Sequence, residues 1–157
     1  MKKTSIITMA IIAIMVFSTM VLASGWPVVQ DSGPNHFCVK YRVKNVDTAA
    51  LGKGAPVVLS TTEISTNGNF GILGTTSTTS VELVGVLEDT IEAGAIGNMI
   101  IFGVADVLFD SSGATTGASF GAGTTKGHAT SGETGLGSVI DTRSGTGLTK
   151  CFVKITE

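Results

Sequence analysis

A serine between glycines is the first residue in this sequence with the potential for chemistry. Ser119 is the centre of residues 117–121, Gly-Ala-Ser-Phe-Gly, which match the G-x-S-x-G pattern of a nucleophile elbow. That motif needs a strand before the serine and a helix after it, so that a tight turn exposes the hydroxyl group. Here both flanks are rich in glycine and threonine, and a chain with 21 glycines produces such matches readily. We therefore expect no catalytic role for Ser119.

Acidic residues at two places are candidates for cation binding or proton transfer. Glu88, Asp89 and Glu92 cluster in one connector, and Ca²⁺ takes roughly six to eight oxygen ligands. A solvated turn explains the same cluster, and we prefer that interpretation. Asp106 and Asp110 are four residues apart in a strand-like run, which places them on one side of it. They could pair with lysine, bind a cation, or act as paired carboxylates of the kind that glycosidases use.

The remaining candidates for chemistry lack the spacing that their chemistry requires. His36 and His128 are the two histidines, and without a Cys-x-x-Cys pair or a nearby carboxylate they do not define a zinc site. The segment 145–150 is loosely similar to a phosphate-binding loop, but it lacks the G-x-x-x-x-G-K-[ST] order and precedes a strand. We predict that the chain is not an enzyme and that it needs no metal or other cofactor.

Two cysteines, Cys38 and Cys151, lie in strand-like runs near opposite ends of the chain. In an exported protein such a pair can form a disulfide bond, and two separate buried thiols are the alternative. A bond between them would close most of the chain into one loop. In the chain-entropy model that closure stabilises the fold by up to ~4–5 kcal/mol.

Residues 1–23 have the composition of a secretory signal peptide. A basic start at Lys2 and Lys3 is followed by an apolar run from Ile6 to Leu22, and cleavage is predicted after Ala23. The run is at the lower limit for a bilayer span of roughly 17–25 residues, so an uncleaved helical anchor is the alternative and the only membrane attachment we expect. We predict export to the medium or the cell surface. The scattered basic residues and the acidic net charge exclude nucleic acid as a partner.

Alternation of apolar and polar residues makes 37–43 the clearest predicted strand, with Lys40, Arg42 and Lys44 on its solvent side. Further predicted strands cover 56–62, 81–87, 99–109 with a bend at Gly103, 118–120, 128–130, 138–142 and 151–156. Residues 65–79 form a long loop or a weak strand pair. No helix is expected after the signal peptide, because glycine and β-branched residues dominate.

The predicted fold is therefore all-β, a compact β-barrel or sandwich of short strands with a loop region rich in glycine and threonine. Residues 24–36 contain two prolines and no periodicity, which indicates an extended N-terminal arm. Its Val28 and Val29 could add to a sheet or to a neighbouring subunit. Residues 37–157 form the single folded domain.

Several segments resemble small capsid decoration (cement) proteins of tailed phages. The resemblance extends from about Tyr41 to Thr156, and its matching stretches are 44–46, 54–59, 84–89, 91–97 and 102–105. It implies a compact β-barrel that sits on a capsid lattice, an accessory structural role and no catalytic residues. The sequence departs from that pattern in its signal peptide, which cement proteins made in the cytoplasm do not need.

Two functions are consistent with these features. The first is a structural or assembly protein, either capsid-decoration-like or an extracellular coat subunit, which forms homo-oligomers or binds a lattice or surface partner. Its location would be the virion or the outside of the cell. The alternative is a secreted binding module for a glycan or a cell surface, for which Trp26 and Tyr41 are the candidate aromatic residues.

Overall fold

The computed structural model describes residues 28–31, 37–64, 69–74, 83–133 and 135–155. The predicted signal peptide, Trp26 and His36 lie outside this part of the chain. Ten strands and no helix are present in it, so no described helix has the length and apolar character to cross a membrane. The strands are β1 Val28–Asp31, β2 Phe37–Asn45, β3 Pro56–Ile64, β4 Phe70–Gly74, β5 Leu83–Leu87, β6 Ile96–Phe109, β7 Ser119–Ala122, β8 Ala129–Ser131, β9 Gly137–Val139 and β10 Gly147–Lys154.

Strand pairing closes the sheet into two rings that share β6. The first ring runs β2, β4, β3, β5, β6 and back to β2, and only its β2–β4 pairing is parallel. The second ring runs β6, β10, β9, β7, β8 and back to β6, and only its β6–β8 pairing is parallel. The all-β prediction is confirmed, and the closure is barrel-like.

β6 belongs to both rings because it is 14 residues long and changes neighbours near its middle. Its first half pairs with β2 and β5, and its second half pairs with β10 and β8. Gly103 lies at the change with a φ of 112°, a conformation that residues with a side chain rarely adopt. The predicted bend at this glycine therefore marks the junction of the rings. Cys38 at the start of β2 and Val153 at the end of β10 both lie opposite Gly103.

Two hydrophobic clusters fill the space that the strands enclose. The first-ring cluster includes Val43, Val57, Ile72 and Leu87, each fully buried. The second cluster centres on the tilted ring pair of Phe109 and Phe120, whose centroids are 5.8 Å apart, and it continues onto the neighbouring face of β5. Both clusters contain side chains of β6, so this strand contributes to the core of each ring.

The same four-residue turn occurs three times, each time with glycine third and alanine fourth. It covers residues 52–55, 92–95 and 115–118, and in each the alanine amide donates to the first carbonyl at 3.0 or 3.1 Å. The third residues, Gly54, Gly94 and Gly117, have φ of 78°, 76° and 81°. A type II turn requires positive φ at this position, which explains the glycine.

The first two of these turns meet through a reciprocal bridge. Leu51 and Ile91, each directly before its turn, exchange two backbone hydrogen bonds of 3.0 and 2.9 Å. Buried Asn45 supports the same contact from the end of β2. Its side-chain amide donates to the carbonyls of Ala49 and Ile91, both at 2.9 Å, and its carbonyl oxygen accepts from the Asp47 amide. The two turns and Asn45 together close one end of the first ring.

The predicted alternation in β2 is wrong at its start. Cys38 is buried, and Lys40, predicted to face solvent, is only 9% exposed, whereas Arg42 is exposed as predicted. The side of β2 that was predicted to face solvent is covered over its first residues, where Cys38 packs in the second hydrophobic cluster and Lys40 pairs with Glu88. The structure also decides two predictions that were left open, for residues 65–79 and for the N-terminal arm. The stretch 65–79 contains β4, and part of the predicted N-terminal arm forms β1, which pairs with β2.

Candidate functional site

The candidate functional site is an apolar hollow at the end of the first ring away from the two bridged turns. All five strands of that ring contribute, and Ile155, just after β10, completes the rim. Its lining residues are Tyr41, Leu59, Phe70, Val84, Met99, Ile101 and Ile155, and its volume is about 240 Å³. None of these side chains carries a charge. The hollow is therefore suited to apolar contact.

Three side chains of this hollow are unusually exposed for their type. Leu59 is 41% exposed, Phe70 is 43% exposed and Ile155 is 42% exposed. Tyr41 meets the Phe70 ring edge to face, with centroids 6.2 Å apart, so the aromatic part of the rim is already ordered. Single exposed apolar residues are normal on proteins, but a contiguous set that surrounds a hollow is typical of an interaction surface.

A second, smaller cleft of about 190 Å³ contains the charged residues that the sequence singled out. Asp106 lies between the ammonium groups of Lys53 and Lys150, each 3.2 Å from one of its oxygens. Burial alone would raise the pKa of Asp106, but the hydrogen bonds from Lys150 and Lys53 lower it below its usual value. A general acid needs a raised pKa, so this carboxylate is suited to ion pairing.

The structure separates the other acidic candidates. Glu88 forms an ion pair with Lys40, with the lysine nitrogen 2.5 Å from one carboxylate oxygen. Asp110 follows the end of β6 and is buried, where it accepts hydrogen bonds from Ser112 and Thr130. Burial tends to raise its pKa, but these bonds lower it. Asp106 pairs with lysine, one of the options that the sequence left open, whereas Asp110 lies in the turn beyond the end of β6, so the two carboxylates do not share one side of that strand.

No group of three His, Cys, Asp or Glu side chains among the described residues is arranged to hold a metal ion. His128 contacts the Lys126 carbonyl at 3.2 Å. Ser119 begins β7, with no helix after it in the described chain, so the nucleophile-elbow geometry is absent.

Cys38 and Cys151 are buried thiols, and no disulfide bond joins them. They lie on β2 and β10, which flank β6 on opposite edges, opposite Gly103 and Ala105. Two strand spacings are about 9–10 Å, whereas a disulfide needs Cα atoms within ~7 Å. The disulfide alternative is therefore wrong because a strand intervenes. Burial also raises the pKa of the Cys151 thiol to about 12.

We expect both thiols to resist alkylation in the folded protein and to react fully after denaturation without a reductant. Both thiols are buried away from the reagent. Thiolate is the reactive form, and the Cys151 thiol, with a pKa of about 12, remains protonated at pH 8. Mass spectrometry after iodoacetamide treatment measures the number of modified cysteines. A denatured sample that needs reductant before it reacts would show that the cysteines are bonded.

An ion pair between Asp47 and Lys126 joins loops of the two rings. The ammonium nitrogen of Lys126 is 2.6 Å from one carboxylate oxygen of Asp47, and the Asp47 side chain is 5% exposed. Burial by itself would raise the pKa of Asp47. Hydrogen bonds from Lys126 and from the amides of Gly74 and Thr48 instead lower it below 3.8.

This pair predicts a loss of stability in acid. A folded-state pKa below the unfolded value means that the unfolded chain binds more protons, so the stabilisation is present above about pH 4 and disappears as the pH falls further. We expect Asp47→Asn to lower the free energy of unfolding by about 1–3 kcal/mol at pH 7 and to make it less dependent on pH below 4. Urea unfolding between pH 3 and pH 7 measures both effects, with exposed Asp89→Asn as the control. Equal acid sensitivity in wild type and Asp47→Asn would contradict the assignment.

Taken together, these observations define an all-β protein of two joined rings, the first of which ends in an apolar hollow. Neither a family model nor a curated protein matches the sequence. Among solved structures, the chain is similar to the N base of head fiber gp8.5 in bacteriophage phi29, with a TM-score of 0.54 and 12% sequence identity. The match covers 76% of this chain and 98% of that chain. At this identity the likeness shows a shared fold.

Sequence reasoning did not identify the hollow, although one signal was available. Phe70 is a single aromatic residue within a stretch of serine, threonine, glycine and asparagine. Such a residue in a polar segment is either buried or part of a contact surface. Which of the two applies to Phe70 depends on Leu59 and Tyr41, and only the closure of the first ring brings these residues beside it.

Proposed function

We propose that this chain is a non-enzymatic structural subunit of a tailed-phage particle and that it attaches to the capsid surface. The observation that carries the proposal is the fold, which matches nearly the full length of a head fiber base. The resemblance of segments 54–59, 84–89 and 91–97 to capsid decoration proteins supports the same role. The charged candidates for catalysis are held in ion pairs or turn caps, which also supports a role in assembly.

The apolar hollow is the surface that we assign to the capsid contact. Leu59, Phe70 and Ile155 each expose about two fifths of their surface, and covering apolar area yields roughly 25 cal/mol per Å². A capsid shell offers a fixed lattice of sites, so a contact of modest strength at each is sufficient to decorate it. The particle is accordingly the proposed location, and export through residues 1–23 is a separate prediction.

Mass spectrometry of purified phage particles from a producing culture tests the location. The chain should be present in a fixed ratio to the major shell protein, and it should remain after a salt wash because the contact is apolar. Recovery of the chain only from the cell envelope or medium would overturn the proposal and favour the exported coat or binding module.

Sedimentation with shells that lack the chain tests the surface. Leu59→Asp and Phe70→Asp should each abolish co-sedimentation, because they place a charge in the contact. Ile140→Asp is the matched control, since Ile140 is 40% exposed but lies after β9, outside the hollow. Equal binding by all three variants would remove the hollow from the proposal, and no binding by the wild type would remove the proposal itself.

A further inference from the structure

The two rings repeat one arrangement of five strands. Strands β2, β3, β4, β5 and β6 of the first ring correspond in order to β6, β7, β8, β9 and β10 of the second, so β6 is the last strand of one and the first of the other. The parallel pairing of β2 with β4 corresponds to that of β6 with β8, and the other four pairings of each ring are antiparallel. The rings are therefore an internal structural repeat.

Individual backbone contacts repeat together with the strands. The Gly54 amide donates to the Leu87 carbonyl at 2.9 Å, and the Gly117 amide donates to the Val139 carbonyl at the same distance. Further matched contacts are Leu51–Ile91 with Ala114–Arg143, Pro56–Val86 with Ser119–Ser138, and Leu87–Met99 with Val139–Cys151. This correspondence assigns the lining of the apolar hollow a counterpart in the second ring.

The counterpart of the hollow is buried. Tyr41 and Leu59 correspond to Ala105 and Ala122, because each pair occupies the same position in its ladder. The counterparts of the lining residues on β5 and β6 are Leu136, Cys151 and Val153. All five counterparts are at most 5% exposed, whereas Leu59 is 41% exposed. The same end of the ring is thus covered in one repeat and exposed in the other.

The first ring itself covers this end of the second ring. Ile100 packs in the second hydrophobic cluster and points away from the interior that its neighbour Met99 faces, because side chains alternate along a strand. A methyl group on Gly135 of the second ring would be 3.5 Å from Leu83, so the two surfaces meet closely. The covering side chains on β3, β5 and β6 are Val58, Leu83, Val86 and Ile100. The cover is therefore the aliphatic outer face of three antiparallel strands.

The hollow is continuous with this formed interface. Strands β3, β5 and β6 carry the covering side chains on their outer face, and they carry Leu59, Val84 and Ile101 of the hollow on their inner face. One side of these strands thus shows which surface packs against the end of such a ring, and the other side belongs to a ring end that exposes apolar area.

We propose that the hollow binds the aliphatic face of an antiparallel β-sheet in the shell protein, the kind of surface that covers its counterpart. The inference rests on the proposed function, because it specifies the partner in the shell contact. Tyr41 and Leu59 are larger than Ala105 and Ala122, so the rim projects further towards such a face. The lining carries no charge, and burying an unpaired charge against it would be costly, so the entering side chains are apolar.

Photochemical cross-linking to shells tests the secondary structure of the partner. Benzoylphenylalanine replaces Phe70 in the full chain, and mass spectrometry locates the modified shell residues. We expect modified residues two apart in sequence, in at least two segments, because alternate residues of neighbouring strands share one face. The same substitution at Ile140, which is 40% exposed but outside the hollow, is the control.

Other results of this experiment would overturn the inference. Modified residues three or four apart would identify a helix, and links to another copy of this chain would identify self-association. Co-sedimentation without any link from position 70 would show that the hollow is not at the contact. A wild-type chain that does not bind shells would instead remove the proposed function, so the two failures are distinguishable.

A double variant that gives the hollow its counterpart's residues tests the role of the rim. Tyr41→Ala with Leu59→Ala removes the side chains that reach the partner, and we expect the dissociation constant for shells to rise at least about ten-fold. Ile140→Ala is the matched control and should bind as the wild type does. Circular dichroism should show that both variants are folded. Unchanged binding by the double variant would overturn the inference, even if the wild type decorates shells.

Discussion

Replacing Asn45 with leucine should lower the free energy of unfolding by about 3–5 kcal/mol, a large part of the stability of a domain this size. Asn45 is fully buried and its side chain satisfies two carbonyls and one amide. Leucine keeps the volume but removes the side-chain partner of the Asp47 amide and the Ala49 carbonyl, and it weakens the bonding of the Ile91 carbonyl, which keeps the bond from the Leu51 amide. Each backbone group left unsatisfied costs about 1–3 kcal/mol. Urea unfolding followed by circular dichroism measures the change.

Two further variants distinguish the contribution of the Asn45 hydrogen bonds from that of its side-chain volume. Asn45→Asp keeps the shape but places a carboxylate against the carbonyls of Ala49 and Ile91, so it should destabilise at least as much as leucine at neutral pH. Asn98→Ala removes an exposed asparagine from β6 and should change stability by less than about 0.5 kcal/mol. A leucine variant as stable as Asn98→Ala would show that the Asn45 bonds contribute little.

Gly54→Ala should cost about 2 kcal/mol more than Gly94→Ala, although both glycines occupy the same position of the same turn. Their φ angles, 78° and 76°, impose the same strain of about 1 kcal/mol on alanine. A methyl group on Gly54 would be 2.7 Å from the Leu108 amide nitrogen and 3.0 Å from the Asp106 carbonyl oxygen, whereas one on Gly94 would meet no atom within 4 Å. Crowding against fixed backbone typically adds about 1–3 kcal/mol.

The third copy of the turn provides an independent control. A methyl group on Gly117, with φ of 81°, would also meet no atom within 4 Å. Gly117→Ala should therefore match Gly94→Ala in unfolding free energy. If the free energy of unfolding falls by the same amount in all three variants, backbone strain at positive φ accounts for the whole effect. The close approach of Gly54 to β6 would then add no cost.

Local sequence was sufficient for the elements whose residues determine their own conformation. The alternation in 37–43 predicted β2, and the β-branched run around Gly103 predicted both the long β6 and its bend. The repeated turn was also readable, since Gly54-Ala55 and Gly94-Ala95 stand in the same relation to an apolar residue. Its significance, a bridge between two turns, depends on the fold.

Features that join distant segments could not be read from the sequence. Asp47 and Lys126 are 79 positions apart, and nothing local to either residue marks them as partners. The disulfide alternative failed for the same reason, because only the strand order shows that β6 separates Cys38 from Cys151. The hollow combines side chains from five strands, so its prediction needs the ring closure that no single segment specifies.

The meeting of both strand ends at Gly103 has a consequence for protein engineering. Cys38 and Val153 flank that residue on opposite edges of β6, so the start of β2 and the end of β10, which bound the two rings, are about two strand spacings, roughly 10 Å, apart. A host protein could therefore receive the domain within a surface loop without being stretched. Joining the two ends by a short linker would likewise permit circular permutation, with new termini in an exposed turn such as the one at Gly94. The same fold could therefore be built from a chain that begins and ends at a different turn.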